Sequence, residues 1–440
     1  MSGSTNSQNL IAYRASIFHF LKDPGLENDV SATEYFEDGI LLVDNGLVVK
    51  IGPADNLLKQ LPEEIPIKDY TGKLIIPGLI DAHIHYPQTD MIASYGEQLL
   101  EWLNKYTFPT EGKFEDQDYA EDVAEFFIDE LLRNGTTTAL VLATIHPGSV
   151  NAIFEASRSR GMRMLAGKVM MDRNAPDYLL DTPESAYRDS KDLLEKWHKV
   201  DRLLYAITPR FAPTSTDEQL QQAANLAKAY PDAYVHTHVA ENKKEVQWVA
   251  ELFPWSRSYL DVYDHFGLLR ERSVYAHCIH LDEQDRKRMA LSGATAAFCP
   301  TSNTFLGSGL FNCVSAREQG IRVAVATDVG AGTSFGMLQT LSEAYKVQQL
   351  TGHKISPFRA LFLATLGNAQ ALYLDDRIGN FLPGKEADFI VLDDKATPLI
   401  KRRMAFTNEI EEKIFVFIML GDDRVINATY IMGECAYVAD

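Results

Sequence analysis

Cysteine is scarce in this chain. Four occur among 440 residues, Cys278, Cys299, Cys313 and Cys435, and none forms a C-x-x-C pair. That density excludes a disulfide framework and makes a reducing, cytoplasmic setting the expected one. Long apolar runs are missing too: no stretch approaches the ~20 residues that a membrane-spanning helix needs. The opening MSGSTNSQNLIAYRAS has no basic segment followed by an apolar one, so a secretory leader is not expected. Basic charge is in deficit, with 42 Lys and Arg against 61 Asp and Glu and a formal net charge of −19. Such a balance repels nucleic-acid phosphates and anionic membranes, and no basic tract offsets it. Neither is an expected partner. Also absent is a G-x-G-x-x-G stretch after the first strand of the central region, which weakens a doubly wound nucleotide-binding sheet.

What is present falls into three parts. Residues 1–73 look β-rich, with LIAYRASIFHF and GILLVDNGLVVKIG broken by a turn at Asp44-Asn45-Gly46. Residues 376–440 look alike, with strand candidates ADFIVLDD (387–394), KIFVFIML (413–420) and INATYIMGECAY (426–437). Residues 74–375 differ, alternating apolar strands with helical patterns. The strands are KLIIPGLIDAH, TTTALVLAT, RMLAGKVMM, RLLYAITPRF, AYVHTHV, SVYAHC, ATAAFCP and RVAVATD. Between them come stretches such as DYAEDVAEFFIDELLRNG (118–135), whose apolar residues recur at helical spacing before an Asn-Gly stop. Eight strands, mostly separated by helices, are what a closed (β/α)8 TIM barrel requires. The expected fold is therefore α/β, a barrel over 74–375 joined to a small β-structure built from both chain ends.

Barrel enzymes assemble their sites at the C-terminal ends of the strands, and there the histidines gather. The first strand runs into PGLIDAHIHYPQTD, where His83 and His85 stand two apart and so share a face. The fifth ends VHTHVAEN, with His236, His238 and Glu241; the sixth ends YAHCIH, with His277; the eighth ends VATDVGAG, with Asp328. Imidazole and carboxylate suit Zn²⁺, and a catalytic ion keeps one position for water. His83, His85, His238 and Asp328 form the expected ligand set for one zinc per chain, with iron(II) as the alternative. His277 is expected to hydrogen-bond the water rather than to ligate the ion. Glu241, three residues beyond His238, is expected to move the water's protons from a low-dielectric pocket. His236 is expected to turn to the other face of its strand and to be structural.

Taken in order, PG-x-x-D-x-H-x-H, the histidines of strands five and six and the Ala-Thr-Asp of strand eight resemble the amidohydrolase superfamily. The resemblance spans nearly the whole chain and includes IGNFLPGKEADFIVLD (378–393). It implies a distorted β/α barrel with a small β-sandwich formed by both chain ends. Binuclear members place a carbamylated lysine at the end of strand four; here that strand ends ITPRFAP, and Lys168 in strand three is out of register. One metal ion is thereby implied, and the deaminase branch. The guanine deaminase family is the nearer likeness, through HIHYPQ, GEQLLEWLNKYTFPTE (96–111), TPRFAP and THVAEN. It implies hydrolytic deamination of guanine at C2 to xanthine and ammonia, and a homodimer. His83, His85, His238 and Asp328 would bind metal; Glu241 would transfer protons, assisted by His277 and Asp328. Guanine would be bound by Gln88, Arg210 and Phe211 alongside His238, Glu241 and Asp328. Two alternatives stand beside it: a relative acting on another aminated ring (a triazine, another aminopurine, a pterin or cytosine), and a non-catalytic barrel scaffold.

Overall fold

The computed structural model describes residues 9–26, 29–62, 64–96 and 98–439. The first eight residues of the opening segment, and Glu97 within the 96–111 segment, lie outside the described residues. The chain divides into two compact units, Met1–Ile80 with Leu131–Thr137 and Ser356–Asp440, and Asp81–Glu130 with Thr138–Ile355.

Strands β1 (Leu10–Phe20), β2 (Thr33–Asp44), β3 (Leu47–Pro53) and β4 (Ile67–Pro77) open the first unit. Asn45 and Gly46 both take positive φ, 50° and 79°, as the two-residue hairpin between β2 and β3 demands. The apolar run expected to be one strand, KLIIPGLIDAH, belongs to two. Pro77 has no N–H to continue a ladder, and β5 (Leu79–His85) starts beyond Gly78 in the barrel sheet. Gly78 is needed there, because a Cβ would lie 2.2 Å from the Thr137 hydroxyl.

The barrel sheet continues through β6 (Thr136–Leu142), β7 (Arg163–Gly167), β8 (Val169–Met170), β9 (Leu203–Pro209), β10 (Tyr234–Val239), β11 (Ser273–His277), β12 (Thr295–Phe298) and β13 (Arg322–Val325). Its hydrogen-bonded order is β13-β12-β11-β10-β9-β7-β6-β5, with β8 pairing β9 as a continuation of the third strand. From β6 through β7 and β9 to β13 neighbouring strands pair in parallel, and helices such as Pro147–Ser159, Asp217–Ala229 and Glu283–Ser292 provide the crossovers. This is the expected (β/α)8 arrangement, distorted at its closure.

β5 and β13 stand at opposite ends of the order, and the segment after β13 joins them. The Asp328 N–H donates to the His83 carbonyl at 3.0 Å and the His85 N–H to that of Val329 at 2.8 Å. Beneath these bonds, the fully buried Asp81 carboxylate accepts from the Thr327 hydroxyl, from the Thr327 N–H at 3.1 Å and from the His83 N–H at 3.2 Å. The two strand ends that carry His83 and Asp328 are thus tied through one carboxyl group. Thr327→Val keeps the shape and deletes one donor to a buried acceptor, so unfolding should become easier by ~1–3 kcal/mol. Denaturant titration of the variant checks this; an unchanged midpoint would deny Asp81 its closing role.

The chain returns to the first unit with β14 (Phe389–Leu392), β15 (Ile426–Ile431) and β16 (Glu434–Val438). The order there is β16-β15-β14-β4-β1-β2-β3, a mixed sheet in which β1 and β4 run parallel. Alternate residues of β1 and β2 feed two apolar clusters, one with Tyr13, Ile17, Leu41 and Val43, the other with Ala12, Ile40 and Leu42. The sandwich of both chain ends is therefore observed. In the first cluster Phe389 stacks on Tyr430 at 4.4 Å and Tyr13 meets both edge-on.

Two expectations at the C-terminal end need correcting. KIFVFIML is not a strand but part of the helix Ile410–Leu420. Acidic Glu411 and Glu412 occupy its first turn, favourable against the helix dipole, and Ile414, Phe417 and Ile418 bury one face at helical spacing. INATYIMGECAY is two strands rather than one, turned back at Met432 and Gly433, both of positive φ. Among the described residues, no helix is long and apolar enough to cross a membrane.

Candidate metal centre and its pocket

Period-two alternation carries His83 and His85 from the end of β5 to one point in the second unit. Their Nε2 atoms are 3.2 Å apart, and the His85 Nε2 is also 3.2 Å from that of His238. One oxygen of Asp328 lies 3.1 Å from the His83 Nε2 and 3.3 Å from that of His85. Three ring nitrogens and a carboxylate oxygen, all buried, thus converge on one place.

The arrangement makes sense as a cation cradle. Burial depresses all three imidazole pKa values, that of His85 to about 4, so the rings are neutral. His238 donates its Nδ1–H to the Arg210 carbonyl at 2.7 Å, which leaves a lone pair on Nε2. The His83 Nδ1 is fixed in the same way at 2.6 Å from the His236 Nε2. Lone pairs facing lone pairs repel unless a cation lies among them. The His/Asp set fits a divalent metal ion.

His236 does not turn away, as was expected. Two residues from His238 on the same strand, it shares that residue's face and supports His83 from behind. Lys168 is occupied elsewhere, donating to Asp181 at 2.5 Å and to the Val169 carbonyl at 3.1 Å. His277 joins the cluster by a different approach: its Nδ1–H donates to the Asn303 Oδ1 at 2.9 Å, and its Nε2 lies 3.4 Å from Glu241 and 3.8 Å from Asp328. It falls within metal-ligand reach of His83 and His238, and also of Asp328 and Cys299.

Backbone strain concentrates here. Ala240, His277, Cys278 and Asp328 all adopt positive φ without being glycine, at ~1–3 kcal/mol each. The bend at Ala240 redirects the chain after β10, so that Glu241 comes back beside the histidines. Its carboxyl accepts from the Ser308 hydroxyl at 2.9 Å. Burial, and then repulsion by Asp328, raise its pKa to about 8. The glycines of VATDVGAG also have a purpose. A Cβ at Gly332 would lie 1.8 Å from the Thr327 carbonyl oxygen, and one at Gly330 2.7 Å from that of Gln88.

Beside the cluster opens a pocket lined by apolar side chains and a few convergent polar groups, the usual lining of a small-molecule site. Gln88, Arg210, Phe211, His238, Glu241 and Asp328 all line it, so the sequence-predicted binding residues do meet. Phe211 belongs to an apolar wall with Leu99, Trp102, Leu103 and Leu306.

Two buried carboxylates were missed from sequence. Glu245 accepts the N–H groups of Glu241 and Asn242 at 2.9 and 3.1 Å and the Tyr259 hydroxyl at 2.8 Å. It shapes the turn that carries Glu241. The N-x-x-E spacing of Asn242 and Glu245 is a capping-box signal that marks it. Glu111 pairs with Arg210 at 2.5 Å, and nothing in its neighbourhood announces a partner 99 positions away.

The amidohydrolase family model matches residues 74–435. A guanine deaminase of Escherichia coli (strain K12) is 56% identical over 411 residues, 93% of this chain and 94% of that protein. The solved structure of E. coli guanine deaminase superposes with a TM-score of 0.96 at 54% identity, covering 98% of this chain and 100% of that one. The crystal structure of guanine deaminase from Bradyrhizobium japonicum gives a TM-score of 0.94 at 36% identity, with the same coverage of 98% and 100%.

Proposed function

The chain belongs to the amidohydrolase family and, within it, to the guanine deaminases, and from that premise we propose that it hydrolyses guanine at C2 to xanthine and ammonia. The observation that carries the reading is one pocket in which a His/Asp cation cradle, a carboxyl of raised pKa and a hydrogen-bonding pair, Arg210 and Gln88, all open on the same space.

The metal would be held by His83, His85, His238 and Asp328; zinc suits this donor set, and iron(II) accepts the same ligands. When bound, it supplies Lewis acidity that lowers the pKa of the attacking water. The proton work falls to Glu241. It accepts one proton of the water, hands it to the ring nitrogen beside C2, and passes the second to the departing amine. One water enters and one ammonia leaves, with Glu241 returned to its starting state. A pKa near working pH suits a group that must both take and give. His277, with Nδ1–H committed to Asn303, turns an Nε2 acceptor toward Glu241 and the water. The second oxygen of Asp328 can accept a proton from the same water.

Substrate choice follows from the polar pair. Arg210 can donate to O6 through a planar fork, Gln88 can donate and accept toward the other ring nitrogens, and Phe211 excludes water. Adenine lacks the O6 acceptor and carries its amine on C6. The same reading includes a homodimer and a cytoplasmic setting, supported by the family likeness and by the scarcity of cysteine, and excludes nucleic acid on grounds of charge.

The test is ammonia release from guanine, adenine, cytosine, a pterin and an aminotriazine. Guanine should lead adenine by ~10⁴ or more in kcat/KM, because a site built to bond a group rejects the analogue lacking it. A triazine or cytosine in the lead would keep the hydrolytic chemistry and refute the guanine assignment.

A further inference from the structure

Glu111 does not line the pocket, yet it is 1% exposed and holds two residues that do. One carboxylate oxygen accepts from the Arg210 guanidinium at 2.5 Å. The other accepts from the Gln88 amide nitrogen at 3.2 Å, while the Gln88 carbonyl accepts from the Gly330 N–H, also at 3.2 Å. The guanidinium is further located over the Phe108 ring, 5.6 Å from its centroid, and Phe108 opens the short helix that ends in Glu111.

This chain of bonds has a direction. A free glutamine side chain can flip, exchanging donor for acceptor. Here a carboxylate, which only accepts, faces one end of Gln88, and a backbone N–H, which only donates, faces the other. One orientation satisfies both. The same carboxylate engages the guanidinium through Nη1, one nitrogen of a group that carries five N–H donors. We propose that Glu111 is the positioning residue for purine recognition, fixing the rotamer of Arg210 and the amide orientation of Gln88 so that both meet the carbonyl-bearing edge of the ring. The proposal rests on the guanine reading above and deepens it.

Glu111→Gln distinguishes positioning from simple packing. The variant is isosteric, but offers one acceptor and one donor where two acceptors stood, so either Arg210 or Gln88 confronts an N–H. The readout is equilibrium binding of hypoxanthine, which keeps O6 and N1–H, against unsubstituted purine, which has neither. In metal-loaded E111Q the dissociation constant for hypoxanthine should rise by about 10–100-fold, the scale of a lost hydrogen bond to a charged group. That for purine should move by less than about threefold, since purine lacks the O6 acceptor and the N1–H that the fixed orientation of the pair serves. Equal losses for both ligands would overturn the proposal, as would no loss for either. Should the lone buried guanidinium prevent E111Q from folding, Glu111→Gln with Arg210→Met removes both charges. Its ratio of hypoxanthine to purine affinity should equal that of Arg210→Met alone, because with Arg210 gone the one amide oxygen of the substituted side chain is enough to hold Gln88; a further drop in the double variant would overturn the proposal. Guanine turnover by the parent protein is measured in the same preparation, and its absence would count against the guanine reading separately.

Discussion

Glu241→Gln is expected to retain bound metal and to lower guanine turnover by ~10²–10⁴-fold, the usual contribution of a general acid–base group. Glutamine keeps the size and can still meet the Ser308 hydroxyl, which bonds Glu241 at 2.9 Å. It cannot carry a proton. Glu241 lies outside the His/Asp cradle, with the Nε2 of His277, itself outside that ligand set, at 3.4 Å, so the ligand set should survive the change. The parent protein needs the group in both forms during one cycle. Burial and the Asp328 charge, by raising its pKa to about 8, keep the two forms close in free energy near neutral pH. Metal content by elemental analysis and turnover by ammonia release are to be measured on the same sample. Near-parental turnover would remove Glu241 from the proton path.

That residue was visible in the sequence because its partners are local. His238 and Glu241 stand three apart after a strand, and the barrel brings strand ends together whatever the loops between them do. His83 with His85, His277 and Asp328 were legible for the same reason: strand-end position plus period-two geometry decides where a side chain points. His236 shows the rule neglected, since two residues from His238 it had to share that face. The helix Ile410–Leu420 was misread because β-branched and aromatic residues favour strands only as a weak prior, and packing at helical spacing overrode it. The split at Gly78 depends on Thr137, 59 residues away, which no local pattern reports. Glu111 is invisible for the same reason: its role is defined by Arg210 and Gln88, and it becomes evident only when three segments meet.

Exhaustive chelation should bring guanine turnover down to the uncatalysed background, ~10⁶-fold or more below the parent, and zinc should restore it. Removal takes away the Lewis acid without disturbing Glu241, Arg210 or Gln88, so binding and proton-transfer groups would be present but left with a water too weakly acidic to attack. A second effect belongs to the fold. Three neutral imidazoles whose lone pairs face one another at 3.2 Å, beside an ionised Asp328, form a cluster that favours the folded state only with a cation among them. An ion that binds the folded chain alone stabilises it by about 4 kcal/mol at a thousandfold excess over its dissociation constant. Chelated protein should therefore unfold at lower temperature, and His83→Ala, which breaks the cradle itself, should show the lower transition whether or not zinc is supplied. About one metal ion per chain is expected. Two per chain would point to a second ion among His277, Cys299 and Asp328, whose donor atoms also lie within reach of one another. Activity and melting temperature both unmoved by chelation, with no transition metal found by elemental analysis, would show that the His/Asp cluster holds no ion in the working enzyme.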